Sequence, residues 1–364
     1  MTSNVLLHRQ DLGVVVPAVQ IPWCCPRCRA PLPNGNDRID CSGCGAQYEV
    51  IDGIPDFRIS TDFWLDIEQD RKIARELAAR FSTDNMEGLI RQVYSARPAW
   101  DEARIALRTR QVLEAPERLR REIDGWLDPA THDAPFLEIG CGPGMLLAAA
   151  ASKGRSGIGI DASLVWLVVS KRLITLWGGQ PMLAAALADA LPLADGAVQA
   201  TISLDVIEHV ADPQRFLQEV NRVTRVGGKV ALATPNRFSL AAEPHVFVWG
   251  VGWLPRRWQP AFVRWRSGKS YDYTCLLGIW EFAGMMRRNT EFNFRILIPE
   301  ISTEEIRRFP KYRQVLARLY NWLTARTIMR GLLLIICPFF RAVGMRQAPK
   351  LKNRSDHSTI GKKP

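Results

Sequence analysis

No stretch of this chain approaches the roughly 20 consecutive apolar residues that a membrane-crossing helix needs. The apolar run Gly331–Phe340, closed in by Arg330 and Arg341, is ten residues long. An ordinary transmembrane protein is therefore not expected. An export signal is missing from the opening residues too: Val14–Val16 is a short apolar run that follows Asp11. The expected setting is the cytoplasm, or the cytoplasmic surface of a membrane. Acidic residues are scarce in the last third, where residues 237–364 carry 8 Asp/Glu against 23 Lys/Arg, while residues 1–236 carry 29 against 25. The whole net charge of +11 thus sits at one end, and such asymmetry fits a polyanionic partner, nucleic acid or an anionic membrane surface. Cysteine is sparse outside one cluster: of eight, five lie between Cys24 and Cys44. In a thiol-preserving compartment a cluster of this kind points to metal rather than disulfides.

What is present suits a folded protein of two or three units. The chain has 364 residues, 47% of them hydrophobic and 23% charged, which excludes wholesale disorder and fibrous classes. Six zones follow from composition and spacing. Residues 1–21 form an N-terminal arm, and 22–59, rich in Cys, Pro and Gly, a small β-rich module. Residues 62–127 are charge-dense with helical apolar spacing (Ile73, Leu77, Phe81; Leu89, Ile90, Val93), a helical connector. Residues 128–300 alternate apolar strands with amphipathic stretches, the signature of a parallel βαβ sheet. Residues 301–348 are expected to be an amphipathic and apolar helical region, and 349–364 a disordered basic tail.

Cys25-Pro-Arg-Cys28 and Cys41-Ser-Gly-Cys44 are separated by twelve residues. Each pair turns two thiolates toward one tetrahedral ion, so Cys25, Cys28, Cys41 and Cys44 are expected to hold a structural zinc with no open position. Cys24 is a bystander. The stretch from Cys25 through Tyr48-Glu-Val-Ile-Asp-Gly-Ile-Pro-Asp56 resembles the zinc-ribbon activator subunits of tRNA and translation-factor methyltransferases, and ribbons fused ahead of bacterial methyltransferases.

In the next zone Phe136-Leu-Glu-Ile-Gly140 runs into Cys-Gly142-Pro-Gly144 and an apolar helix from Met145. The glycines let the backbone approach a ligand beside a helix N-terminus. Met145 stands where a dinucleotide fold wants its third glycine, which argues against nicotinamide or flavin. A second strand, Ser156–Ile160, ends in Asp161, a carboxylate suited to ribose hydroxyls. Asp189 follows a third apolar run. A fourth strand, Ala200–Leu204, leads into Asp205-Val-Ile-Glu208-His209, then Asp212-Pro213, a helix N-cap with Pro at its first position. That helix is expected to end at Gly227-Gly228, before a fifth strand over 229–236.

Together these motifs resemble the class I S-adenosylmethionine-dependent methyltransferases, and among them the branch with the ubiquinone-type O-methyltransferases. The resemblance implies an α/β, Rossmann-like methyltransferase sheet with flanking helices. It implies S-adenosylmethionine bound by Gly140, Gly142 and Gly144 around its methionine part, Glu138 at the amino group, Asp161 at the ribose, Asp189 at the adenine and Asp205 at the methionine end. Phe292–Ile298 is a candidate sixth strand. No stretch announces a seventh, a departure from the family pattern.

Methyl transfer chiefly requires alignment of the acceptor and exclusion of water. If the acceptor must lose a proton, His209 is the first candidate base and His245 the second; His209 packing or capping a helix is the competing reading. No catalytic metal is expected. Residues 246–265, with Trp249, Trp253, Trp258 and Trp265 among Arg256, Arg257 and Arg264, follow the fifth strand, where the family resemblance implies a lid over the acceptor. Beyond Tyr312, helically spaced apolar residues and Arg313, Arg318, Arg326 and Arg330 describe a segment lying in a membrane interface or a helix packed on the core. The leading expectation is an enzyme methylating a small or lipid-linked acceptor at the membrane face. An RNA methyltransferase gripping phosphates with the basic tail is the alternative, and a non-catalytic recruitment protein a third. Oligomeric state is not legible.

Overall fold

The computed structural model describes residues 23–60, 65–80, 85–96, 100–125, 135–272, 274–298, 301 and 303–349. The arm over 1–21 and all but the first residue of the basic tail lie outside these. At the N-terminal end a three-stranded antiparallel sheet is formed by β1 (Arg38–Asp40), β2 (Gln47–Ile51) and β3 (Ile54–Pro55). Three helices follow, α1 (Ile67–Arg80), α2 (Met86–Ser95) and α3 (Glu102–Glu122). Asn85 and Asp101 cap α2 and α3, each accepting from a backbone N–H three residues on.

The main sheet contains β4 (Phe136–Ile139), β5 (Gly157–Asp161), β6 (Met182–Ala185), β7 (Val198–Leu204) and β8 (Thr224–Pro235), linked by α4 (Met145–Ala151), α5 (Leu164–Leu176) and α6 (Pro213–Val223). After β8 come α7 (Gln259–Ser267), α8 (Ile279–Asn289), β9 (Phe292–Leu297), α9 (Thr303–Arg308), α10 (Lys311–Thr324), α11 (Thr327–Ile336) and β10 (Phe339–Arg346). The seven strands lie in the order β6-β5-β4-β7-β8-β10-β9. The first five are mutually parallel, and β10 runs antiparallel to both β8 and β9. β4, between β5 and β7, is buried along its whole length, as a strand covered on both faces must be.

Three expectations need correcting. The seventh strand exists: it is β10, inside the region expected to be helical throughout. Pro338 stops α11, and the chain then threads between β8 and β9, where Phe340 and Ala342 are fully buried. The helix expected to reach Gly227 ends at Val223. Thr224 already pairs with Val198, the ladder resumes at Ala200–Lys229, and the residues between bulge out with Gly227 in a left-handed conformation. The apolar run 332–340 is accordingly part helix and part sheet.

The ribbon and connector pack on the main sheet. Trp23 bridges Leu193, Asp56 bridges Ala185 at the end of β6, and the Phe57 N–H donates to the Ala185 carbonyl at 2.7 Å. Trp23, Tyr48 and Phe57 form an aromatic seam, with ring centroids 5.6 and 5.1 Å apart, that joins the core of the sheet.

Candidate functional site

The parallel strands deliver their carboxyl ends to one edge, where an open α/β sheet binds ligands. A cavity of about 620 Å³ lies there, lined by Gly140, Asp161, Asp189, Asp205, Val206 and His209, with Ser60 and Leu65 contributed from the ribbon and connector side. Four of the seven expected cofactor residues thus share a cavity with the expected base. Gly142 and Gly144 lie in the adjoining turn, and Glu138 lies beneath it on β4.

The turn accepts glycine alone at two points. Gly140 and Gly144 have φ of 72° and 76°, and a Cβ on them would meet Val206 at 2.2 Å and Ser170 at 2.1 Å. The Gly142 N–H donates to Asp161 Oδ2 at 2.8 Å, and the Ser163 N–H donates to Oδ1 at 2.9 Å. Asp161 therefore holds the turn while keeping lone pairs for a ligand. Burial raises its pKa, and raises that of Glu138 well above the carboxylate range, with the charge of Asp161 adding to the effect. Among the described residues Glu138 Oε2 has no hydrogen-bond partner. A buried acceptor in that condition is suited to a cationic donor supplied by a ligand. Asp205 sits at φ 55°, a left-handed conformation that Asp tolerates better than most residues.

Beyond Asp205 the chain makes a short 3-10 turn, Ile207–His209. Glu208 is buried: its Oε2 accepts from the Thr234 hydroxyl at 2.9 Å, and burial pushes its pKa up to about 7. Burial, then the charge of His245, lowers His209 to about 4, so its ring is neutral at physiological pH. His245 descends from the segment after β8, its ring perpendicular to that of His209 at 4.7 Å. Its Nδ1 donates to Glu243 Oε1 at 2.5 Å, while Glu243 Oε2 accepts from the N–H groups of His245 and Val246 at 2.8 Å. Burial opposes charge on His245, but the Glu243 carboxylate outweighs it and raises the pKa. Glu243 was not singled out by the sequence, although its place two residues before a candidate base was a usable signal. Glu208, His209 and His245 also bring one donor atom each within 4.8 Å of one another, a spacing that could hold a cation.

The second cluster is the ribbon's. One ligand atom from each of Cys25, Cys28, Cys41 and Cys44 lies within 4.8 Å of the others. All four thiols are unbridged, with contacts of 3.6 Å (Cys25–Cys44) and 3.5 Å (Cys28–Cys41). Four thiolates around zinc, at Zn–S of about 2.3 Å, stand about 3.8 Å apart, so the set fits. Burial disfavours the Cys25 thiolate, but hydrogen bonds from Tyr48 and the backbone outweigh it and bring its pKa down to about 6. Arg29 closes the first turn at φ 66° and donates to Glu219 at 2.8 Å and to the Leu191 carbonyl at 2.9 Å. The ribbon is thereby tied to the loop that carries Asp189.

Comparison with known proteins agrees with this geometry. Residues 137–232 match the family described as "Methyltransferase domain". The ubiquinone biosynthesis O-methyltransferase of Parvibaculum lavamentivorans is 35% identical over 128 residues, covering 34% of this chain and 50% of that protein. That of Brucella anthropi is 34% identical over 125 residues, covering 33% and 50%. The chain spans about half the length of these curated relatives. Among solved structures, Haemonchus contortus phosphoethanolamine N-methyltransferase 2, in complex with S-adenosyl-L-methionine, is similar at 13% identity and a TM-score of 0.42, over 64% of this chain and 53% of that one. The matched segment carries the sequence pattern of a methyltransferase domain.

Proposed function

We propose that this chain is an S-adenosylmethionine-dependent methyltransferase acting on an oxygen or nitrogen of a small or lipid-linked acceptor at a membrane surface. One observation carries the reading: Gly140, Asp161, Asp189, Asp205 and His209, from four strand ends, converge on a single cavity. The curated relatives are named as O-methyltransferases of ubiquinone biosynthesis, which supports an acceptor of that chemical kind.

When bound, S-adenosylmethionine supplies an electrophilic methyl group on a sulfonium whose departure leaves a neutral thioether. The chain holds and orients it. Asp161 accepts from the ribose hydroxyls, Asp189 from the adenine amine, and the Gly140–Gly144 turn brings backbone close to the methionine part. Glu138, buried with an unmatched oxygen, takes the amino group and becomes ionised by it. His209 lines the cavity as a neutral imidazole and would take the proton of an oxygen or nitrogen acceptor. Beside it, Glu243 accepts from His245 Nδ1 and fixes that ring, which stands perpendicular to the His209 ring at 4.7 Å.

The membrane part rests on the surface. Trp249, Trp253, Trp258, Trp265 and Trp280 are 49–76% exposed, and Val315, Leu316, Leu319 and Trp322 on α10 are exposed as well. Arg256, Arg257, Arg264 and Arg266 lie among the first group and Arg313, Arg318 and Arg326 on or beside α10. Aromatic and cationic side chains together are the composition of an interfacial surface. No described helix is long and apolar enough to cross a membrane.

The test is transfer of label from methyl-labelled S-adenosylmethionine into bacterial lipid extract or total RNA. Label in lipid, reduced about a hundredfold or more by His209→Ala, is expected. Label in RNA alone would replace this acceptor with the nucleic-acid one, and label in neither would favour a recruitment role.

A further inference from the structure

We infer that Asp70, on α1 of the connector, is a positioning residue for the cofactor cavity, fixing the turn 161–165 from which Asp161 faces it. The inference rests on the reading of Asp161 as the ribose-binding carboxylate. Asp70 is 3% exposed and lies about ninety residues away from this turn in sequence. Its Oδ1 accepts from the Ser163 hydroxyl at 2.9 Å and from the Val165 N–H at 3.4 Å; its Oδ2 accepts from the Leu164 N–H at 2.8 Å. These amides open α5, so a carboxylate from another helix supplies their cap. Ser163, the local N-cap, reaches the Trp166 N–H only at 3.4 Å.

Arg58 completes the brace. Its side chain is fully buried, and one Nη1 donates both to Asp70 Oδ2 at 2.7 Å and to the Ala162 carbonyl at 2.9 Å. The rest of the guanidinium is bidentate on Asp56, at 2.7 and 2.6 Å, at the end of the ribbon. The turn is thus held at five points. The Ala162 carbonyl goes to Arg58, the Ser163 N–H to Asp161, the Ser163 hydroxyl to Asp70, and the next two amides to Asp70. Ser163 is the link, since one residue binds the cofactor-facing carboxylate through its N–H and the brace through its hydroxyl. Both oxygens of Asp70 receive only donors, so an amide at this position would turn an NH₂ group against one of them.

The experiment is calorimetric titration of the full chain with S-adenosylmethionine, S-adenosylhomocysteine and adenosine, for the wild type, Asp70→Asn, Ser163→Ala and Ser163→Thr. Steady-state kinetics accompany it. Asp70→Asn should raise the Kd for all three ribose-bearing ligands about tenfold or more, and raise KM for S-adenosylmethionine alike, while kcat at saturation stays within about twofold. Ser163→Ala should weaken binding several-fold and Ser163→Thr, which keeps the hydroxyl, should restore it. Wild-type Kd in Asp70→Asn and Ser163→Ala, or a loss confined to kcat, would overturn the inference. If Asp70→Asn does not fold, the Ser163 pair decides alone. Failure of the wild type to bind S-adenosylmethionine would instead sink the functional reading beneath it.

Discussion

At Glu208, burial raises the pKa from an ordinary 4.5 to about 7. A folded-state pKa above the unfolded one stabilises the protein fully below about 4.5, and that stabilisation drains away as pH rises through 7. Glu208→Gln should therefore flatten the stability profile between those limits and stabilise the apo-protein at pH 8 by on the order of 3 kcal/mol. Urea titrations at pH 5 and pH 8 measure this; equal midpoints for variant and wild type at pH 8 would contradict it. His209 behaves oppositely, since burial lowers its pKa to about 4 and keeps it neutral across the working range. The residues of the glycine turn, Asp161, Asp189, Asp205 and His209 were legible in sequence because each stands at a fixed offset from an apolar strand. Glu243, Arg58 and Asp70 were not. Their partners are remote or unmarked, and an acidic residue in the first turn of α1 reads as an ordinary dipole partner.

The elements divide the same way. Strands β4 to β8 announce themselves as apolar runs closed by acids or glycines, and β9 was placed within one residue. β10 was hidden, because Phe-Phe-Arg-Ala-Val-Gly-Met-Arg carries two cations and a glycine and follows an apolar helix. Only its two neighbours, seven residue pairs with β8 and six with β9, make it a strand. Phe340 is fully buried, its ring 5.2 Å from that of Phe282. Phe340→Ala should cost about 3–5 kcal/mol by thermal or urea denaturation. A cost under about 1 kcal/mol would mean the strand is not integral to the sheet. The ribbon is the other element whose role only the fold discloses: the spacing of its cysteines points to a metal, and Arg29, Asp56 and Phe57 show what it is fastened to.

For the molecule as a whole, the ribbon and the basic aromatic end flank one methyltransferase domain. One zinc per chain is expected by elemental analysis, with Cys25→Ser and Cys41→Ser abolishing it; a metal-free wild type that folds normally would contradict the ribbon reading. Flotation with anionic vesicles should carry the chain upward at low salt, and combined Trp258→Ser and Trp265→Ser should cut that fraction severalfold. Absence of flotation would detach the acceptor proposal from a lipid surface. The central claim is that the cavity at the strand ends holds S-adenosylmethionine. Titration of zinc-replete wild type and Asp161→Ala tests it most directly. The account predicts saturable one-to-one binding by the wild type, weakened about a hundredfold or more in the variant while the far-ultraviolet spectrum stays unchanged. Equal binding by both folded proteins, or none by the wild type, would contradict it.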